Sequence, residues 1–198
     1  MPNANTVRQQ VSGTIQLTTA PLSGTTITTT ETAFALNNNA LTGTGGGVIP
    51  LSAGVTGLYK GTGRVLHVAA TGTVTGATGA STTLILKLYQ VSAALIAAGL
   101  TSAIVVASGN ALGTSSTRTI AQTACAFSFD SRIQLDSAGN LHSQFTDEID
   151  NQIDVYTAGP AVVTGVAEAD LNFVLTAKLG GTEVGVVLNL NEFRIDLE

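Results

Sequence analysis

The chain has no tryptophan, a single cysteine and few charged side chains, and each shortage excludes a class of protein. With Cys125 alone, no internal disulfide can form, and the apolar stretch around it predicts a buried, inert thiol. Charged residues make up 11% of the chain, against about 25% in ordinary soluble domains. The net charge of −5 and the lack of any Lys/Arg cluster argue against nucleic-acid binding, which depends on phosphate neutralisation. No apolar run reaches the ~20 residues of a membrane-spanning helix, and the first residues show no secretory signal.

The few charges are divided unevenly along the sequence. Residues 1–129 carry one carboxylate, Glu31, against five basic side chains, whereas residues 130–198 carry twelve carboxylates against three basic ones. The formal charges of the two segments are therefore +4 and −9. A chain so poor in charge, with a positive mean hydropathy, is expected to have part of its surface covered by other chains. This distribution favours a protein that docks over one that catalyses a reaction.

Threonine and glycine dominate what remains, with 30 and 22 residues. Threonine suits a half-buried pleated surface, and glycine supplies turns. Apolar and polar residues alternate with period two in about ten segments, spaced roughly 10–15 residues apart. The pattern predicts an all-β, antiparallel, jelly-roll-like sandwich of about 8–10 strands. Residues 1–10 are predicted to form a flexible arm and residues 11–198 a single domain, with 11–50 left open as a separate arm.

The same pattern makes predictions at the level of single segments. Residues 92–98 suggest a short helical turn, 103–107 a strand and 109–116 a loop. Residues 136–140 indicate a tight turn, and a slip of phase at Asn191 predicts a bulge in the last strand. The apolar phase of the strands predicts this buried core: Leu84, Leu86, Phe127, Phe129, Phe173, Leu175 and Phe193.

No motif in the chain carries recognisable catalytic chemistry. The glycine-rich stretches 43–47 and 61–63 lack the Lys-Ser/Thr of a phosphate loop and are predicted to be plain loops. His67 is expected to be packed within its strand and His142 to be exposed after a turn. No Gly-x-Ser-x-Gly elbow accompanies them, so the sequence predicts no enzyme, and it indicates no cofactor.

The best candidate site is an acidic run. It consists of Asp147, Glu148, Asp150 and Asp154. Carboxylates on a flexible loop are ligands for calcium, but the spacing does not match an EF-hand, so these residues are weak metal candidates. A glycosidase pair is disfavoured because nothing separates the pKa values of two carboxylates and no tryptophan offers a sugar platform. The preferred interpretation is a solvated or docking edge that meets basic groups, with Arg8 as the candidate partner from the N-terminal arm.

Four stretches of the chain resemble a known class of virus protein. They are 58–71 (LYKGTGRVLHVAAT), 82–90 (TTLILKLYQ), 127–141 (FSFDSRIQLDSAGNL) and 171–197, which ends in NLNEFRIDL. The order of these stretches is similar to that of jelly-roll decoration or cement proteins of tailed bacteriophage virions. It consists of an apolar strand, a small-residue loop, another strand, an Asp-rich turn and a Phe-containing closing strand. The resemblance covers about two thirds of the chain and includes no invariant motif.

The resemblance implies a virion structural protein, assembled in the host cytoplasm, that docks on a phage capsid and stabilises the shell. The implied partners are further copies of the chain, forming a homotrimer, and the major capsid protein or another virion protein, with no nucleic acid and no membrane. Residues 11–50 fit the pattern least and are alternatively a capsid-contacting segment. Two other interpretations stay open, a tail or baseplate adaptor and a calcium-dependent β-sandwich binding domain.

Overall fold

Two antiparallel sheets packed face to face form a β-sandwich in the computed structural model of the chain. The structure describes residues 13–17, 22–36, 61–77, 82–120, 124–150, 152–155, 161–167, 170–181 and 183–197. The predicted arm 1–10, with Arg8, and the glycine-rich stretch 43–47 lie outside them.

The larger sheet has eight described strands. They are β1 (Gly13–Leu17), β2 (Leu22–Thr26), β4 (Val65–Thr75), β8 (Ala124–Leu135), β9 (Leu141–Ile149), β10 (Gln152–Val155), β11 (Ala161–Val163) and β13 (Val187–Leu197). Their order is β1-β13-β4-β8-β9-β10, with β2 also paired to β13 and β11 also paired to β9. Both edges are therefore built from short, interrupted strands, which limits edge-to-edge association.

The smaller sheet has five described strands and lies beneath two short helices. The strands are β3 (Thr32–Leu36), β5 (Thr83–Val91), β6 (Asn110–Thr114), β7 (Arg118–Thr119) and β12 (Asn172–Leu179), in the order β3-β12-β5-β6 with β7 paired to β5. The helices are α1 (Ala93–Ala97) and α2 (Ser102–Ser108). No helix in the described part of the chain is long and apolar enough to cross a bilayer.

The all-β antiparallel sandwich predicted from the sequence is confirmed. The described residues form 13 strands, more than the predicted 8–10, and short strands such as β7, with two residues, and β11, with three, raise the number. Within the described residues, the 11–50 segment supplies β1 and β2 to the larger sheet and β3 to the smaller one. The slip at Asn191 is also confirmed, because the register between β13 and β4 shifts between Leu190 and Glu192.

The core lies between the sheets. All seven residues predicted from the apolar phase are buried, with exposures of 0–3%. Strand β8 alternates buried and more exposed side chains along its length, as period two requires. Phe129 of β8 stacks on Phe145 of β9, with ring centroids 5.4 Å apart. A second cluster forms on the other side of the smaller sheet, where Tyr89, Val91, Val105 and Val174 are buried.

The segment beside the smaller sheet corrects two predictions of secondary structure. On the opposite phase of β12 from Phe173, Val174 is buried in the cluster beneath α1 and α2, and Thr176 is buried where its Oγ1 donates to Glu31. Residues 103–107, predicted as a strand, lie in α2. Thr101 caps this helix by accepting a hydrogen bond from the Ile104 N–H. The predicted loop 109–116 contains β6, which pairs with β5. The helical turn predicted at 92–98 is present as α1.

Candidate functional site

The structure does not gather the acidic run on one surface. Strand β9 points Leu141, Phe145, Asp147 and Ile149 inward, so Asp147 is 2% exposed. Glu148 is the next residue and therefore lies on the opposite, outward side. Asp150 follows in the turn with φ 53°. The expectation of a single exposed cluster is therefore wrong for Asp147, because period two separates neighbouring residues of a strand onto opposite faces.

Asp154 and Arg8 are the other two members of the predicted interface. Asp154 lies on β10, where its backbone is paired with that of Asp147, and its side chain is outside the part of the chain that the structure describes. Arg8 is outside the described residues altogether. Among the described residues, no three His, Cys, Asp or Glu side chains gather as a metal site would require.

Among the described residues, half-buried and exposed side chains cover the outer face of the larger sheet. We use this name for the side of the sheet that points away from the smaller sheet. Its central strands present small and polar side chains that are half-buried or exposed: Ala69, Thr71, Thr73, Ala126, Ser128, Gln134, Gln144, Thr146 and Glu148. Helix α2 contacts β3 and β5 of the smaller sheet, and Leu95 and Ile96 of α1 pack on the cluster at the same side of that sheet. In the described part of the chain, one side of the sandwich thus carries a helical layer and the other does not.

A charged network crosses the middle of this outer face. His67 on β4 hydrogen-bonds through Nε2 to Asp130 on β8, and its Nδ1 lies 3.9 Å from Oδ2 of Asp196 on β13. Arg194 Nε approaches the same Asp196 oxygen at 2.6 Å. Arg194 Nη1 also donates to Glu192 at 3.4 Å. Three adjacent strands are therefore joined by alternating basic and acidic side chains.

The network follows from register. Antiparallel pairing places Asp196 and Arg132 directly beside His67, and Arg194 and Asp130 beside Ala69. Cross-strand neighbours share a face of the sheet, so the imidazole meets carboxylates from both sides. As expected from the sequence, His67 is packed, and its side chain is only 17% exposed. The contacts of His67 with the two aspartates could not be predicted, because strand register is not visible in the sequence.

Two shallow depressions flank the network on the outer face. One, of about 270 Å³, is lined by Arg132, Gln134, His142 and Gln144 among others. The other, of about 300 Å³, is lined by Thr71, Thr73, Ser128 and Glu148 among others. Hydroxyl, amide and charged groups therefore border both depressions, and their small side chains leave a broad, nearly flat surface.

The predicted tight turn after β8 fixes the second histidine. The Asp136 carboxylate accepts hydrogen bonds from the Asn140 N–H and side-chain amide, both at 2.8 Å, and from His142 Nε2 at 3.2 Å. The Asn140 backbone bond, followed by the Asn140 and His142 side chains, holds the pKa of Asp136 well below its usual range. His142 is 39% exposed, so its predicted exposure is partly met, and its tie to Asp136 makes the turn rigid.

Two histidines and one cysteine are the chain's candidates for nucleophilic catalysis. Both imidazoles are held by aspartates, and the described contacts bring neither one to a hydroxyl or thiol. Cys125 is buried. Burial, with a smaller contribution from the Asp150 charge, raises its pKa to about 11, and a thiol in this state is a poor nucleophile. The predicted inert role of Cys125 is consistent with both observations.

Comparison with known proteins gives no family. No protein-family profile and no curated protein matches the chain. Among solved structures, the endo-1,3-beta-glucanase from Streptomyces sioyaensis aligns with 73% of this chain and 68% of its own, at 12% identity and a TM-score of 0.37. That neighbour is an enzyme, but the likeness is too low to carry an argument about this chain.

Proposed function

We propose that the chain is a virion structural protein that docks on a phage capsid as a decoration or cement protein and stabilises the shell. In this proposal the outer face of the larger sheet contacts the major capsid protein or another virion protein. The chain acts there as a homotrimer, without a cofactor and without enzymatic activity, and its location is the virion.

The observation that carries the proposal is the asymmetry of the sandwich. Among the described residues, one side carries the chain's own helices, while the other is a polar sheet crossed by a network of paired basic and acidic side chains. Small Thr, Ser and Ala side chains cost little conformational entropy when a partner covers them. Charges that are already paired reduce the desolvation cost that isolated charges would impose.

The position of the stretches that resemble decoration proteins supports the same proposal. Residues 82–90 cover most of β5, 127–141 cover most of β8 and its turn up to the first residue of β9, 171–197 contain β12 and β13, and 58–71 runs into β4. These strands form the middle of both sheets. The resemblance therefore lies in the framework that builds the open face, rather than in peripheral loops.

Immunogold electron microscopy tests the location. Particles purified from the culture that yields this sequence are labelled with an antibody raised against the chain. We expect gold in many copies over the shell. Gold confined to the tail or baseplate would replace the decoration role with that of an adaptor, and unlabelled particles would overturn the virion proposal.

A pair of matched variants tests the docking face. Ala126 is exposed on the outer face, and Val184, 95% exposed, lies in the connection before β13. Ala126→Lys places a long cation on the outer face, whereas Val184→Lys adds the same charge elsewhere. On particles stripped of the protein, Ala126→Lys should rebind at least about tenfold more weakly than wild type, and Val184→Lys should rebind normally. Equal rebinding of both variants would exclude the outer face.

A further inference from the structure

The helical layer over the smaller sheet is a second, chemically distinct surface. It is formed by α1, α2 and the Gly99–Thr101 connection between them. Its exposed side chains are almost all apolar: Ala93, Ala94, Ala97, Ala103, Val106 and Ala107. Val106 is 42% exposed and is one of three exposed large hydrophobic residues in the described part of the chain. Leu95, Ile96 and Ile104 lie partly exposed beneath them and pack on the cluster around Val105.

Three of the hydroxyl groups in this layer accept hydrogen bonds from backbone N–H groups, and the hydroxyl of Ser108 is exposed. Ser92 Oγ accepts from the Leu95 N–H and Thr101 Oγ1 from the Ile104 N–H, both at 3.3 Å. Ser102 Oγ accepts from the Ala33 N–H at 3.0 Å. These side chains cap the helices or connect them to the sheet, so they need few hydrogen bonds from a partner. An interface formed here would bury apolar atoms without orphaning those hydroxyls.

The layer itself carries no charged side chain. The thirty residues 88–117 contain no Asp, Glu, Lys or Arg, and both helices come from this segment. A carboxylate from outside the segment touches it at the start of α1, where Asp170 accepts from the Ala93 N–H at 2.8 Å. Elsewhere, the described surface carries ion pairs on both sheets.

We infer that this helical layer is the surface through which copies of the chain associate with one another. Two chains of net charge −5 repel each other. The electrostatic repulsion between them is smallest where they meet through faces that carry no charge. A surface that offers no charge and few polar side chains matches a partner of the same kind, and another copy supplies it. Homo-oligomer interfaces are more apolar than those between proteins that also exist apart.

This inference deepens one part of the proposed function, the homotrimer, by naming the surface that joins its copies, while the decoration role is tested separately by the electron microscopy. The helical layer and the outer face lie on opposite sides of the sandwich. Association through the helices therefore leaves every outer face pointing away from the oligomer. Such an oligomer can still contact several neighbours through its outer faces, whatever those neighbours are.

Light scattering coupled to size exclusion tests the inference on the purified full chain. We expect wild type to elute at a multiple of 20.0 kDa at micromolar concentration. Ala97→Lys combined with Val106→Lys should raise the dissociation constant about a hundredfold or more, because lysines would be desolvated at the contact. Val184→Lys is the matched control and should leave the oligomer intact. Circular dichroism of each variant should match wild type.

Crosslinking gives a second readout that leaves the surface apolar. Val106→Cys and Val184→Cys are each treated with a short bismaleimide, while the buried Cys125 stays protected. Crosslinked dimers should form with Val106→Cys and not with Val184→Cys. A monomeric wild type, an oligomer that survives both lysines, or equal crosslinking of the two cysteine variants would each overturn the inference. If wild type is monomeric and the double lysine variant no longer binds the capsid, the helical layer contacts another partner instead of a second copy.

Discussion

Gly113 shows how one aromatic ring dictates the residue opposite it. A Cβ at this position in β6 would find its three nearest neighbours in the Phe145 ring, the closest at 2.3 Å. Phe145 is buried and stacked on Phe129, so it cannot move aside freely. Gly113 does not have a positive φ, which leaves the ring as the reason for glycine. We expect Gly113→Ala to lower the free energy of unfolding by about 1–3 kcal/mol in urea titrations.

A double variant separates packing from backbone effects at this position. In a Phe145→Leu background the ring is gone, so Gly113→Ala should cost markedly less there than it does in wild type. Both backgrounds must be measured by the same urea titration. An equal cost in both would show that the ring is not the cause.

Glu31, the one carboxylate among the first 129 residues, is held by three side chains beside the smaller sheet. Burial opposes its ionisation, but hydrogen bonds from Thr176, Lys87 and Tyr89 outweigh burial and keep the pKa of Glu31 below its ordinary value of 4.5. Thr176 Oγ1 donates at 2.6 Å and Lys87 Nζ at 2.9 Å. For Lys87, burial would lower the pKa, yet the hydrogen bond and charge of Glu31 raise it.

The sign of the pH effect follows from that lowered pKa. A carboxylate whose pKa is lower in the folded state adds stability above the unfolded-state value and loses it as the pH falls through the folded value. Glu31→Gln should therefore cost about 1–3 kcal/mol at neutral pH, and its difference from wild type should shrink as the pH falls from about 5 towards about 3. Urea titrations across that range measure the difference. Glu192→Gln, in a more exposed pair, should change little, and a constant Glu31→Gln deficit at every pH would contradict the assignment.

At the scale of elements, α2 is where sequence periodicity failed. The run Ile104-Val105-Val106 is β-branched and favours a strand, but seven residues capped by Thr101 form a helix instead. Burial of Val105 against the smaller sheet stabilises the helix, because helix propensity alone is too low in so short a segment and tertiary contacts are needed. The sequence contained the cap, a Thr before an apolar run, and the Gly109 that ends the helix.

The cap makes a measurable contribution to this helix. Thr101→Ala removes the oxygen that accepts from the Ile104 N–H and should cost about 0.5–2 kcal/mol of unfolding free energy. Thr101→Ser keeps a hydroxyl at the same place and should recover most of the loss. Equal losses for both variants in urea titrations would mean that the methyl group of Thr101, rather than its hydroxyl, stabilises α2.

At the scale of the whole molecule, the sequence predicts what depends on alternation and misses what depends on register. Phe129 and Phe173 were assignable to the core because period two fixes which face a side chain takes. The meeting of His67 with Asp130 and Asp196 joins residues that lie far apart in the chain, and nothing local indicates it. The acidic run was misinterpreted because neighbours in sequence, Asp147 and Glu148, lie on opposite faces of their strand.

Acidic side chains from the second part of the sequence meet basic ones from the first, as Asp130 meets His67 across strands. Once Asp147 is assigned to the interior, Glu148 and Asp150 remain as members of the proposed docking edge. Glu148→Gln with Asp150→Asn removes two negative charges at that edge, and Asn tolerates the positive φ of position 150. Folding should barely change, because exposed charges contribute only about 0.2–1 kcal/mol each.

Binding to stripped particles should respond differently from folding. Removing these charges should slow association and flatten its dependence on salt, because complementary charges act mainly on the association rate. The matched control, Asp170→Asn with Glu183→Gln, removes the same charge outside the strands and keeps an oxygen to accept from the Ala93 N–H and from Thr82. If association of the two double variants depends on salt in the same way, net charge alone governs docking, and Glu148 and Asp150 are only a solvated edge.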